Sequence, residues 1–308
     1  MPAVEARKDA LRFGFACIPL GLPQPVVHSC KLPNATPARL RELTEANLAS
    51  LDRCLDYAAG LGFALFRINS GIIPFASHPV NRSSWWKDFA PELAALGRKA
   101  AKLGLRLSMH PGQYTVLNSP EPRVVDGARA ELLYHARFMD ALGLPSSSKV
   151  VIHLGGVYGD KPAALARLAS AWKALPPEIR GRLALENDER LFSVYDALDA
   201  GESLGAPVVF DRFHHRVHGD PAGTPIPALL KRAVATWRKA DGRPKVHFSS
   251  QEPGARPGTH DVGIRPAEFR EFLDESRGVA LDVMIEARGK EDAALAALKA
   301  ARAAGRCA

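Results

Sequence analysis

The chain of 308 residues is poor in the features that mark several protein classes. Its four cysteines, Cys17, Cys30, Cys54 and Cys307, form no CxxC pair, so neither a zinc ribbon nor a disulfide framework is indicated. No apolar run approaches the ~20 residues of a bilayer-spanning helix. The stretch 279–285, among the longest, is broken by Asp282. Residues 1–10 lack the apolar centre of a signal peptide and are expected to be disordered. No GxGxxG lies at a strand-to-helix turn, which argues against a dinucleotide-binding sheet. Linkers and low-complexity segments are also missing, so a single domain over 11–304 is expected in a soluble, cytoplasmic protein with no membrane attachment.

What is present describes a globular protein with a cationic surface. Hydrophobic residues make up 46% and charged residues 24%, which excludes a disordered or fibrous chain. Lys and Arg number 41 against 33 Asp and Glu, a formal charge of +8. That excess favours anionic partners, nucleic acid being the commonest.

Short apolar runs alternate with longer amphipathic ones along the whole chain. Strands are expected at 11–17, 63–68, 105–109, 149–153, 182–186, 207–211, 244–248 and 279–286. Helical patterns fall at 37–59, 91–102, 123–142, 161–175, 191–204, 226–238, 266–275 and 291–304, the last fraying after Lys299. Strands apolar throughout and separated by helices imply a parallel sheet covered on both faces. Eight such units match the arithmetic of an α/β protein of the (β/α)8 TIM-barrel class. The connections at 18–36, 69–90 and 249–265 are long for a barrel, and long loops at that face usually serve function.

The ionisable residues recur at one point of the unit. His110 follows strand 3, His153 ends strand 4, Glu186 strand 5, Asp211 strand 6 and Glu286 strand 8. His247 is near the end of strand 7, His214 lies just past Asp211, and His78 and His260 sit in the long loops after strands 2 and 7. In a parallel barrel these ends converge on one face. Any one of them alone reads as a satisfied polar residue or a helix cap. Together they would be costly without counter-charge, and divalent cations remove the conflict. Nine candidate ligands exceed one tetrahedral site, so two or three divalent ions are expected; mixed His and carboxylate donors without thiolate suit Mn²⁺ or Zn²⁺ and do not decide between them. Such sites serve phosphoryl displacement, and the positive charge makes a nucleic-acid phosphodiester the natural substrate.

The runs IPFASHP (73–79), SMHPGQY (108–114), HLGGVYGDK (153–161), LALENDER (183–190), FDRFHH (210–215), PKVHFSSQ (244–251) and MIEARGKE (284–291) together resemble the UV damage endonuclease family. The resemblance runs from FGFAC (13–17) to GKE (289–291). It implies a TIM-barrel DNA repair enzyme, related to endonuclease IV, that nicks duplex DNA immediately 5′ to cyclobutane pyrimidine dimers and 6-4 photoproducts and leaves a 3′-hydroxyl. It also implies ligand sets: His110, His153 and Glu186 for one ion; Glu186 again, with Asp211, His247 and Glu286, for a second; His214 and His260 for a third. His78 would approach the first ion or the scissile phosphate. The chain departs from the family at Pro19, where many members carry an Asn near the active-site mouth. Competing readings are an abasic-site endonuclease of the endonuclease IV type and a metal-dependent sugar isomerase or epimerase.

Three further expectations concern the substrate, damaged double-stranded DNA bound by a monomer without a protein partner. Lys245, two residues before His247 on a strand, faces the same side and acts at the site, either on the scissile phosphate or, carboxylated, as a ligand of the third ion. Lys161, Arg256, Arg265, Arg288 and Lys290 are candidates for phosphate contacts. Gln113 and Tyr114, beyond the turn at Gly112, are the candidate wedge that fills the gap left by an extruded lesion, in line with the family resemblance.

Overall fold

The computed structural model describes residues 9–307. Eight strands follow one another around a closed parallel barrel: β1 (Arg12–Ala16), β2 (Leu65–Ile68), β3 (Arg106–Met109), β4 (Val150–His153), β5 (Leu183–Glu186), β6 (Val208–Asp211), β7 (Lys245–Phe248) and β8 (Asp282–Ile285). β8 pairs back onto β1, so the barrel class expected from the alternation is the one found. The observed strands lie within the expected ones, because the outer residues of each apolar run turn away from the ladder.

Register sets up the upper end of the barrel. His153 is the partner of Glu186 across β4 and β5, and Asp211 is the partner of His247 across β6 and β7. Side chains alternate along a strand, so the residue two before each of these also points inward. Val151, Ala184 and Val209 occupy three such places and form a small apolar cluster of their own against Trp237. The fourth place is Lys245, buried like them. The main core lies outside the sheet, where Phe15, Phe66, Leu107, Ile152, Leu185, Phe210, Phe248 and Ile285 meet the helices.

The helices start where side-chain chemistry satisfies their free N–H groups. Thr36 caps Pro37–Gly60 and Asp160 caps Lys161–Lys173, each with a proline in the first turn. Ser193 and Asp196 make a reciprocal box at the head of Val194–Leu204, and Gly205 closes that helix at φ 65°. This helix begins three residues later than its amphipathic pattern. The Asp188 carboxylate takes the N–H groups of Arg190, Leu191 and Phe192 and holds them in a turn. Three short helices, Trp85–Asp88, Pro177–Arg180 and Arg212–His218, escape periodicity because they are too brief to show one. Among the described residues no helix is long and apolar enough to cross a membrane.

Ala10 and the segment after Lys299 are more ordered than expected. Ala10 is buried, Leu11 donates to the Arg306 carbonyl at 2.7 Å and bridges Cys307, and the Arg306 guanidinium reaches the carbonyls of Leu273 and Ser276. The segment after Lys299 therefore continues the helix Lys290–Ala303 and closes the barrel base instead of fraying. Residues 1–8, also expected to be disordered, lie outside the described residues.

Two helical glycines make opposite expectations. A Cβ on Gly97 would stand 1.6 Å from the Leu142 carbonyl oxygen, whereas one on Gly127 meets nothing within 4 Å. Gly97→Ala is expected to destabilise the chain by at least about 2 kcal/mol in urea unfolding, as overpacking does. Gly127→Ala, in an exposed helical turn, is expected to stabilise it by about 0.5–1 kcal/mol. Equal effects would contradict the close packing of these two helices.

Candidate metal centre

Glu186 has no exposed surface, yet its two oxygens face three imidazoles: Oε2 is 3.0 Å from His110 Nε2 and 3.8 Å from His153 Nε2, and Oε1 is 2.6 Å from His247 Nδ1. Potential ligand atoms of His110, His153 and Glu186 lie within 4.8 Å of one another, and so do those of Glu186, Asp211 and His247. The two triads share Glu186. Glu286 joins the second through His247 Nδ1 at 2.9 Å. His214 and His260 stand beside them with ring centres 5.9 Å apart. Each of these two is held through Nδ1, His214 by the Asn187 carbonyl at 3.1 Å and His260 by Ser249 Oγ at 3.0 Å and the Glu286 carbonyl. The Nε2 atoms are thereby left available, as happens when a ligating histidine is oriented by a bond to its other nitrogen.

The donor set fits divalent cations. Buried Asp211 Oδ2, His247 Nε2 and His153 Nδ1 have no hydrogen-bond partner, and a buried polar atom without one is costly. Electrostatics agree. Burial pushes the Glu186 carboxyl up, but His247, His153 and the bonds from His110 and His247 outweigh it and hold it well below the usual range. Burial and the neighbouring Glu186 push Asp211 up, with His214 opposing. Against burial, Glu186 and Glu286 raise His247 to about 10, while Asp211 and Glu186 raise His214 to about 9. Without cations, protons on these histidines balance the carboxylates.

Several supporting residues were not among those expected from the sequence. Arg67, on β2, forms an ion pair with Glu286 from within the barrel; a mid-strand arginine in an apolar run could have prompted the question of what it neutralises. Asn187 bonds both the N–H and the carbonyl of Asp211, at 2.9 Å each, besides holding His214. The His110 carbonyl accepts from Ser70 Oγ at 2.7 Å, and that hydroxyl is 3.0 Å from Nε2 of buried His135.

The remaining expected site residues divide. Lys245 is 1% exposed and points into the barrel; burial, with Arg106 nearby, pushes its ammonium down to about 7. Tyr114 is 71% exposed and so is not part of the core. With Gln113 it walls a cavity of about 820 Å³ that reaches His153 and whose other side includes Tyr158 and Arg190. Tyr158, also missed, is 48% exposed at φ 53°, with the Arg167 guanidinium 5.6 Å from its ring centre. Asn118 clamps the loop beneath it through both backbone groups of Gly156.

His78 lies in the loop after β2 and is in neither ligand triad. It is exposed, its Nδ1 accepts the Val80 N–H, and its ring meets Phe75, in a loop tied by Asn81 to the Pro74 carbonyl. Of the cationic candidates, Lys161 is paired with Asp196 at 2.8 Å, Arg265 with Glu268 at 3.4 Å and the Gln251 carbonyl, and Arg288 with Glu252. The side chains of Arg256 and Lys290 make no ion pair or hydrogen bond among the described residues.

Comparison with known proteins adds relatives to this geometry. The family model described as UV-endonuclease UvdE matches residues 12–304. The UV DNA damage endonuclease of Clostridium perfringens is 34% identical over 286 residues, covering 92% of this chain and 69% of that one. The enzyme of the same name from Bacillus velezensis is 34% identical over 258 residues, 83% and 80% of the two chains. The crystal structure of SacUVDE superposes with a TM-score of 0.90 at 34% identity, over 96% of this chain and 99% of that one. Endonuclease IV from Thermus thermophilus, at 19% identity and a TM-score of 0.58 over 95% and 98% of the chains, shares the fold.

The raised histidines give the metal-free chain a pH signature. Their folded pKa values exceed the unfolded one, so their stabilisation is full below about 6.5 and is lost as pH rises through about 9 and 10. Cations that use these nitrogens must displace the protons. Titrating Mn²⁺ into metal-free protein at pH 7.5 is expected to release about two protons per chain, read from the dependence of binding heat on buffer ionisation enthalpy. Heat independent of the buffer would contradict the assignment.

Proposed function

The chain belongs to the UV-endonuclease family, and from that premise we propose that it is a DNA repair endonuclease nicking duplex DNA immediately 5′ to UV photoproducts. The lesions are cyclobutane pyrimidine dimers and 6-4 photoproducts. The observation that carries the reading is the pair of ligand triads sharing Glu186, opening on a cavity with an exposed tyrosine at its edge. A carboxylate has two oxygens to divide between cations where an imidazole has one lone pair, which makes Glu186 the bridge. The site would hold two or three divalent ions, Mn²⁺ foremost with Zn²⁺ or Mg²⁺ as alternatives, and its ligands all come from one chain, in keeping with a monomer. Ions at this place supply Lewis-acid stabilisation to the phosphate and the leaving oxygen.

The chain's own groups do the rest. Asn187 and Ser70 fix Asp211, His214 and the backbone of His110, so the ligands do not have to reorganise when substrate arrives. Lys245, buried beneath His247 and largely able to lose its proton near neutral pH, is the lysine suited to carboxylation; intact mass under carbamate-preserving conditions is expected to show the added mass. A photoproduct weakens stacking and pairing, so its extrusion costs less than that of a normal step. Gln113 and Tyr114 fill the gap. Unpaired Arg256 and Lys290 are the stronger phosphate contacts, whereas Lys161 must first leave Asp196.

Incision of UV-irradiated, abasic and intact duplexes is expected to show cutting on the first, 5′ to the lesion. Preference for the abasic duplex would favour the endonuclease IV-type reading, and failure on all three an isomerase or epimerase. The double variant Gln113→Ala/Tyr114→Ala is expected to weaken binding to UV-damaged duplex about 5- to 150-fold, the worth of ~1–3 kcal/mol of stacking, with unchanged metal content. Equal losses on damaged and undamaged DNA would sink the wedge assignment. Arg256→Ala is expected to lower the salt slope of DNA binding by about one unit, and Lys161→Ala by less.

A further inference from the structure

The end of the barrel opposite the metal centre gathers more cations than anions. Arg12 and Arg106 open β1 and β3, and Arg243 lies two residues before β7. Asp282, at the start of β8, is buried and is the register partner of Arg12. It accepts two bonds from Arg12, at 2.7 and 2.8 Å, and one from Arg106 at 2.7 Å. One carboxylate therefore serves two guanidinium groups. Among the described residues Arg243 has no carboxylate partner: its Nη1 donates to the Ala10 carbonyl at 3.0 Å, and its Nε and Nη2 donate to nothing. The adjacent pair of Lys149 and Asp241, 2.6 Å apart, is balanced and leaves this excess as it is.

These groups surround an opening. A cavity of about 320 Å³ is lined by Arg12, Arg106 and Arg243 together with Ser147, Ser148 and Gly143. Ser147 Oγ makes no hydrogen bond among the described residues, and a Cβ on Gly143 would meet only open space. Burial first, then Arg12 and Arg106, push the Arg243 guanidinium down from its ordinary value, with Asp282 opposing. Among the described residues, three guanidinium groups against Asp282 leave two positive charges, to which Lys245, the register partner of Asp282, adds when protonated; a doubly charged oxyanion offsets that excess. Arg106 is spent on Asp282 and on the carbonyls of Ser147, Asp241 and Arg243, so it contributes charge and not free donors. The open donors are those of Arg243, the remaining Nη1 of Arg12 and the Ser147 hydroxyl, and a guanidinium fork matches phosphate oxygens. The volume lies at the lower end of the range for small-molecule pockets.

We infer that this cavity is a second anion site of the enzyme, taking a phosphate group either as the free ion or as the monophosphate of a small molecule. It lies at the strand starts, away from the ligands at the strand ends, so it is independent of incision.

The test is calorimetric titration of metal-loaded protein at fixed ionic strength, with orthophosphate in one arm and deoxyadenosine 5′-monophosphate in the other. Wild type is expected to bind one more equivalent per chain than Arg243→Gln, whose metal content and nicking stay unchanged. Ser147→Asp provides an independent variant that retains all three arginines. Its carboxylate is expected to abolish the extra equivalent and to raise the thermal midpoint without phosphate, by supplying the missing negative charge. General stabilisation by phosphate as an excluded salt is common to wild type and variants and cancels in the comparison. Tighter binding of the nucleotide would support a phosphorylated small molecule, and equal binding the free ion. Equal stoichiometry and affinity in wild type and both variants, in both arms, would overturn the inference.

Discussion

A carboxylate without exposed surface, Glu186, governs the upper end of the barrel. Removing an ion from water costs several kcal/mol even after relaxation, and the site removes three, since Asp211 is also buried and Glu286 nearly so. Each placement follows from that cost. Glu286 takes Arg67; Glu186 takes His110 and His247; Asp211 takes His214. Histidine is the residue that can balance such a cluster in two ways, by holding a proton or by yielding it and ligating a cation. The same atoms therefore stabilise the chain without metal and prepare it for metal.

The layer beneath shows how the barrel supports this arrangement. On β4, β5 and β6 the inward residues below the ligands are apolar and small enough to pack under Trp237. On β7 the same position is Lys245, and at the strand starts Arg12 and Arg106 converge on Asp282. One side of the interior is hydrocarbon and the other is ionic. Above it, Arg67 and His247 hold Glu286 charged against its burial. The barrel is thus electrostatically polarised along its axis, with carboxylates at the strand ends and guanidinium groups at the strand starts.

Much of this was legible in the sequence because a (β/α)8 barrel converts position along a repeating unit into position in space. His153, Glu186 and Asp211 end apolar runs, and the fold can only bring such ends together. Loop residues carry no such rule: the environment of His78 is set by a local turn in which Asn81 holds the Pro74 carbonyl, which no strand periodicity announces. Ion pairing between elements is equally silent, which is why Lys161 read as a free cation and proved to be paired with Asp196. Arg67, Asn187 and Ser70 were invisible for a related reason: each acts on a ligand 24 or more positions away, except where Asn187 neighbours Glu186 in the chain. The tail after Lys299 shows the same limit, since its order comes from Arg306 reaching carbonyls in a different helix-to-strand turn.

The central claim is that Glu186 is shared by two cations. Anomalous diffraction at the manganese edge from crystals grown with Mn²⁺ tests it directly. The account predicts one peak among His110, His153 and Glu186, a second among Glu186, Asp211 and His247 within reach of Glu286, and Glu186 with one oxygen toward each. A single ion held without Glu186, or two ions neither of which it contacts, would contradict the account.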